Sequence, residues 1–326
     1  MFKVKALSFS EIGKKDNQED RVFPDPQQVK PDQRYFILCD GMGGHEKGEV
    51  ASETVSSALG QYFDAHPFAV ADEAYFNDAL AYAYSRLDLV DTGAEKKMGT
   101  TLTCLLLNPN GFLAAHVGDS RIYQFRDGQI VFQTRDHSLV NDLLKAGEIT
   151  EEEARNHPRK NIITRAMQPN SRRVKADIFL SEDIQPGDIF FLCCDGILER
   201  MTNESLCQIM GMRCSATAKL AIIKDECDRG TKDNYTCWLV FIEDNMDPIT
   251  ILEWNVTAQQ VKMKDKSGSL YYLENCTPPD GLNAAIVQPR YKYNTLGQLY
   301  KDGKDIGPWV LHTNDKRTGV LTEYCK

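Results

Sequence analysis

The chain has 326 residues, 42% of them apolar and 26% charged, with 14 Phe, 13 Tyr and 3 Trp available to fill a core, so a disordered, collagen-like or fibrous polypeptide is excluded. A formal charge of −9 and the lack of any dense run of Lys and Arg argue against phosphate-backbone binding, so no nucleic-acid partner is expected. No apolar stretch approaches the roughly 18 residues of a membrane helix, and Met1 to Lys15 lacks the apolar run of a secretory leader, so the sequence reads as cytoplasmic and soluble with no membrane partner.

In chain order, short apolar runs predict strands over Tyr35 to Cys39, Thr101 to Leu107, Phe112 to Val117, Ile122 to Phe125, Ile189 to Cys194 and Tyr235 to Ile242. Apolar residues at three- and four-residue spacing predict helices over Glu46 to Phe63, Glu73 to Val90, Leu139 to Ala146 and Ala216 to Asp228. The strands cluster instead of alternating with helices, which favours α+β architecture with antiparallel sheets covered by helices over a doubly wound parallel fold. Composition shifts near residue 245: all 14 Phe precede it, and the last 82 residues carry ten Lys and Arg against nine Asp and Glu. A first domain over 1–244 and a small β-rich extension of unknown role over 245–326 are expected. Most of the ten cysteines lie inside apolar runs such as ILC, TCLLL and FLCC, and with no CxxC pair they read as reduced core residues.

Apolar strands run repeatedly into a carboxylate: Asp40-Gly41 after Tyr35 to Cys39, Asp195-Gly196 after Phe190 to Cys194, and Asp119-Ser120-Arg121 after Leu113 to Gly118. One isolated Asp-Gly is usually only a turn. Three such strand ends meeting in one sandwich would repel by about 4 kcal/mol per pair at an effective dielectric near 20, so a cation is called for. Asp233, before the last strand, and Glu19 with Asp20, after the first, could complete an all-oxygen set. With no Cys or His expected in register, Mg²⁺ or Mn²⁺ fits better than zinc. Two such ions can hold a hydroxide and polarise a phosphoryl oxygen. The Gly-rich Asp40-Gly41-Met42-Gly43-Gly44 lacks the Gly-Lys-Ser/Thr ending of a nucleotide loop and the spacing of a dinucleotide fingerprint.

Taken in order, the motifs resemble those of the metal-dependent serine/threonine protein phosphatases, the type 2C family, in its bacterial form. They are Gly13-Lys14-Lys15-Asp16-Asn17-Gln18-Glu19-Asp20, Asp40-Gly41-Met42-Gly43-Gly44 with Gly48-Glu49-Val50-Ala51-Ser52, Met98-Gly99-Thr100-Thr101, Val117 to Arg121, Thr134 to Ser138, Asn161 to Ala166, Pro186-Gly187-Asp188, Asp195-Gly196 and Asp233-Asn234-Tyr235-Thr236. The resemblance implies a four-layer α-β-β-α sandwich with metals at one end. It implies that Asp40 bridges two metals, that Asp195 and Asp233 hold one of them, and that Gly41 gives its carbonyl to the other. Glu19 and Asp20 would hold waters of the metals, and Asp119 with Asp195 would serve a third, weaker metal.

The resemblance further implies hydrolysis of phosphoserine and phosphothreonine in proteins by a metal-bridged hydroxide, opposed by a serine/threonine kinase. A catalytically weak phosphoprotein-binding scaffold and a small-molecule phosphoesterase on the same fold are the alternatives. Lys15 stands where the family usually has Arg for the substrate phosphate, and gives a point charge instead of a fork; it could equally be a surface lysine. Met42 stands where animal members carry a histidine proposed as general acid. His45 reads as a solvated helix-start histidine and His137 as a packing residue, with no acid/base partner nearby in sequence. Gln168 replaces a glycine usual after Arg165-Ala166-Met167. The charged stretch from Ser138 to Lys160 corresponds to the family's variable, mobile flap beside the active site, with Glu151 to Glu153 on a solvated helix face.

Overall fold

The computed structural model describes residues 3–43, 47–93, 97–150, 153, 157–159, 162–243, 249–255, 257–265, 268–277, 294–313 and 318–323. Gly44, His45, Glu46, Glu151, Glu152, Lys160 and Asn161 of the expectations above lie outside them. The chain divides into two compact units, Met1–Glu243 and Asp244–Lys326.

The first unit holds two antiparallel sheets. One runs β1 (Lys3–Glu11), β11 (Tyr235–Glu243), β10 (Ile189–Cys193), β7 (Arg121–Arg126), β8 (Gln129–Gln133). The other runs β2 (Asp20–Phe23), β3 (Tyr35–Met42), β5 (Leu102–Asn108), β6 (Gly111–Val117), β9 (Asp177–Ser181), with the two-residue β4 (Gly99–Thr100) beside β3. Strand periodicity of two decides what each residue covers. Along β3, Phe36 and Leu38 pack with Phe190, Leu192 and Trp238 in the core between the sheets, while Ile37 and Cys39 turn to the opposite face. There they meet Val55, Leu59 and Phe63 of α1 (Gly48–Ala65) and Phe76, Leu80 and Leu87 of α2 (Glu73–Leu89). The Trp238 indole N–H donates to the Ile37 carbonyl of the other sheet at 3.0 Å, so even this large buried ring leaves no polar atom unpaired. The same apolar cluster continues through the first sheet to its outer face, where Leu206 and Ile209 of α5 (Asn203–Gly211) and Ile223 of α6 (Ala216–Asp228) cover it. The architecture is therefore the α-β-β-α sandwich that the resemblance implied.

Boundaries differ from expectation where side-chain chemistry overrides apolarity. The strand expected to end at Cys39 continues to Met42, so Asp40 and Gly41 lie within β3. The strand expected over Thr101–Leu107 is broken at Thr101, whose backbone N–H turns to the Asp40 carbonyl at 2.8 Å. Ile189–Cys193 stops one residue early because Cys194 is the N-cap of the short helix α4 (Asp195–Leu198). Helix α3 (Leu139–Ala146) opens the segment corresponding to the flap: Ser138 Oγ accepts from the Asn141 N–H, and Gly147 at φ 73° ends it in the left-handed conformation that glycine adopts freely.

The second unit is a closed antiparallel barrel: β12 (Ile249–Asn255), β13 (Gln260–Lys264), β14 (Leu270–Thr277), β15 (Asn294–Lys301), β16 (Lys304–Thr313) and β17 (Thr318–Glu323). Closure by pairing of Ile249 with Gly319 removes the free sheet edges. Val261, Met263, Leu273, Leu299, Leu311 and Leu321 fill its interior. No helix among the described residues is long and apolar enough to cross a membrane.

Candidate metal centre

The centre is assembled by β2 and β3 at one end of the sandwich. Asp20 and Asp40 are register partners in this antiparallel ladder, so both side chains leave the same face. The Asp40 backbone is fixed from both sides: its N–H donates to Thr101 Oγ1 at 3.0 Å, and its carbonyl accepts from Thr101 N–H at 2.8 Å and Thr100 Oγ1 at 3.0 Å. That is the work of the Gly99-Thr100-Thr101 motif. Next along the strand, the start of α1 approaches Gly41 so closely that a Cβ there would lie 2.3 Å from the Gly48 carbonyl oxygen. Only glycine fits.

Asn234 ties the loop between β1 and β2 to the turn before β11. Its Oδ1 accepts from the Glu19 N–H at 2.8 Å, and its Nδ2 donates to the carbonyls of Ile12 and Asn17 at 2.8 and 2.9 Å. Gly13 crosses the same turn at φ 63°, with the Asp233 carbonyl oxygen 2.0 Å from where a Cβ would stand. These contacts place Glu19, Asp20 and Asp233 together. Lys15 joins them, its Nζ 2.7 Å from Asp233 Oδ1, both side chains open to solvent. Asn234 belongs to the Asp233-Asn234-Tyr235-Thr236 motif, where an Asn next to a carboxylate ahead of an apolar strand is the sequence signal of this tie.

The electrostatics are those of crowded carboxyl groups. Asp20 is 1% exposed and pushed up to about 7, by burial first and then by the charges of Asp195 and Asp233. Asp119 rises to about 7 through burial and the charges of Asp195 and Asp136, and Asp195 to about 6 through burial and Asp233. Asp40 is driven well above the usual carboxylate range by burial and by Asp20, Asp195 and Asp119. Glu19 is raised by burial and Glu49, against Lys15 and the Gly48 N–H.

Both carboxylate oxygens of Asp20 and Oδ1 of Asp119 are buried with no hydrogen-bond partner among the described residues. Buried acceptors are normally paired, so these orphaned oxygens fit a divalent cation. The resemblance assigns such a cation to Asp40, Asp195, Asp233 and the Gly41 carbonyl, with Glu19, Asp20 and Asp119 around them.

One expectation is corrected. Cys194 is a free, fully buried core thiol as expected, but no Cys was expected in register with the carboxylates. Its Sγ stands within 4.8 Å of carboxylate oxygens of both Asp20 and Asp40. Its backbone is still extended at φ −78° and ψ 174°, so the strand alternation carries its side chain to the face of Phe190 and Leu192, toward the other sheet.

His137 is a buried corner, as expected for packing, but it does have an acidic partner distant in sequence. Its Nε2 lies 3.1 Å from Asp177 Oδ2, its Nδ1 accepts from the Gly118 N–H, and its ring stacks on His116 at 4.5 Å between centroids. Arg165, 3.2 Å from His137 Nε2 and 2.8 Å from Asp177 Oδ1, already neutralises that aspartate. Met42 sits opposite Gly99 across the β3–β4 ladder. Gln168 packs at Gly99 too, with Cγ 3.1 Å from the Cβ position there.

The sandwich and its carboxylate cluster together define a phosphatase domain of the type 2C class. The chain belongs to the protein phosphatase 2C family, whose model matches residues 10–223. A protein phosphatase 2C-type protein of Streptococcus pyogenes is 37% identical over 211 residues, 64% of this chain and 85% of its own length. The serine/threonine phosphatase Stp of Listeria monocytogenes is 33% identical over 223 residues, 65% of this chain and 85% of its own. Among solved structures, the catalytic domain of the serine/threonine protein phosphatase PstP in complex with two manganese ions superposes with a TM-score of 0.64 at 29% identity, covering 75% of this chain and all of that one.

Proposed function

We propose that this protein removes phosphate from phosphoserine and phosphothreonine side chains of proteins, using Mg²⁺ or Mn²⁺ held by Asp40, Asp195, Asp233 and the Gly41 carbonyl, with a third, weaker ion at Asp119 and Asp195. The observation that carries this is the pair of buried aspartates from separate segments, Asp20 and Asp119, whose carboxylate oxygens lack partners and stand beside the crowded carboxyls of Asp40 and Asp195. When bound, the ions supply an activated water nucleophile and charge to polarise the phosphoryl oxygens.

The chain's own groups do the rest. Lys15, anchored by Asp233 at the solvent-facing side of the cluster, offers its ammonium as a point charge to orient the substrate phosphate. Glu19 and Asp20 line the cluster as hydrogen-bond acceptors for water. Met42 has no proton to give to the departing serine or threonine oxygen, so none is routed through it. A serine/threonine kinase is the implied counterpart, and the cytoplasm the implied compartment.

The test compares phosphate release from a phosphothreonine peptide and from a small aryl phosphate, with Mn²⁺ and after chelation. Metal-dependent release with kcat/KM favouring the peptide is expected. A preference for the small ester would support a general phosphoesterase instead, and peptide binding without turnover would support a scaffold.

A further inference from the structure

Cys194 is the member of the cluster that hard-ion chemistry does not use. Its side chain is fully buried. The sulfur is fixed by backbone, accepting from the Thr236 N–H at 3.1 Å and donating to the Asn234 carbonyl at 3.5 Å. Facing it is Asp20, buried and with neither carboxylate oxygen paired, and the third donor is Asp40; one atom from each of the three lies within 4.8 Å of the other two. Two oxygens and a sulfur at that spacing match the donor preferences of zinc-like ions. Mg²⁺ and Mn²⁺ select oxygen and gain little from a thiol.

We propose that Cys194 supplies a sulfur ligand which, with the carboxylates of Asp20 and Asp40, makes a site for a thiophilic divalent ion of the Zn²⁺ or Cd²⁺ class. Formation of the metal–sulfur bond breaks S–H, and the proton leaves to solvent; no electron transfer is involved. The inference deepens the reading of the cluster as a cation centre and rests on it. Asp40 belongs to both donor sets, so thiophilic-ion occupancy withdraws a ligand from the hydrolytic pair.

Two measurements on the full chain separate the inference from the reading beneath it. X-ray absorption at the zinc edge, with equimolar Zn²⁺, is expected to show a sulfur scatterer at about 2.3 Å beside oxygens at about 2.0–2.2 Å. Cys194→Ser should lose that scatterer and bind Zn²⁺ at least about tenfold more weakly, since even outer-shell changes cost that much. Asp20→Asn, which leaves the thiol in place, should weaken Zn²⁺ by a similar factor and keeps the test open if the serine variant does not fold.

An oxygen-only shell in the unmutated protein overturns the inference, as does a sulfur shell that persists in Cys194→Ser or an Asp20→Asn affinity that does not change. Mn²⁺ calorimetry on the unmutated chain reads the oxygen cluster separately. Mn²⁺ binding without a zinc–sulfur shell sinks the inference alone, and a zinc–sulfur shell without Mn²⁺ binding sinks the cation reading for hydrolysis.

Discussion

Asp20 and Asp40 stand directly opposite each other in the β2–β3 ladder, two carboxylates where a sheet ordinarily avoids like charges. Burial of Asp20 and the nearness of Asp195 and Asp119 to Asp40 make the pairing costlier still. The ladder therefore holds a repulsion that a cation relieves, which is how a strand pair becomes a metal site.

Asp40→Asn separates function from stability. The variant is expected to lose at least about a hundredfold in Mn²⁺-dependent phosphate release, more than an outer-shell change costs. In chelator at about pH 8 it should melt at a higher temperature than the parent, because folding no longer has to hold at Asp40 a carboxyl driven far above its ordinary range. Rates on a phosphothreonine peptide and thermal melts with EDTA check both; an unchanged rate or a lower melting point in chelator would contradict the account.

The metal-free chain should lose stability as pH rises. Asp20 and Asp119 at about 7 and Asp195 at about 6 hold protons in the folded state that an unfolded carboxylate, with an ordinary value of 3.8, has released. The folded chain thus binds more protons between about pH 4 and 7, and stability falls through that window as pH rises. With chelator present, the melting temperature at about pH 8 should lie several degrees below that at about pH 5, and Mn²⁺ should restore it at the higher pH. A flat or rising profile would oppose the cluster as described.

Lys15 is half exposed and, among the described residues, forms an ion pair with Asp233 alone. Lys15→Ala is expected to change stability by less than about 1 kcal/mol, the range of surface ion pairs, while raising KM for a phosphorylated peptide about tenfold or more. Lys15→Arg should restore KM, because a fork can hold both the phosphate and Asp233. Steady-state kinetics decide it: an alanine variant with unaltered KM would make Lys15 a plain surface residue.

Asp188 of the Pro186-Gly187-Asp188 motif does structural work. It is wholly buried and accepts from Arg126 Nε and Nη2 at 2.8 and 2.9 Å, Gln124 Nε2 at 2.8 Å and the Gln185 N–H at 3.0 Å. Asp188→Ala strands these donors and should cost about 3–5 kcal/mol in urea unfolding. The rate per folded molecule should stay at the parent value.

A chain ending at Glu243 contains every residue of the cluster and both sheets around it. It is expected to fold and to hydrolyse a phosphothreonine peptide with the kcat/KM of the full chain. A tenfold loss on the peptide would assign the barrel a part in the chemistry.

How far the sequence could be read depended on where the information lay. The strands that became central, such as Phe112 to Val117 and Tyr235 to Ile242, are continuous apolar runs because both faces are covered, and they were plain. Edge strands such as Gln129–Gln133 and Asp177–Ser181 are half exposed, so their apolar signal is diluted and they received no bounds. The carboxylates were legible through repetition, since Asp follows a buried run three times. Cys194 was not, because FLCC reads as core whichever way the second thiol points, and only the packing of the two sheets brings its face against Asp20. The Asp177 partner of His137 was hidden in the same way, 40 residues along the chain and brought close only by pairing of β6 with β9.

Manganese-edge anomalous diffraction from a crystal grown with Mn²⁺ tests the cation centre most directly. Anomalous peaks bounded by the carboxylates of Asp40, Asp195 and Asp233 and the Gly41 carbonyl are the predicted result. A map with no peak among those oxygens at saturating Mn²⁺ would contradict the assignment and the hydrolysis built on it.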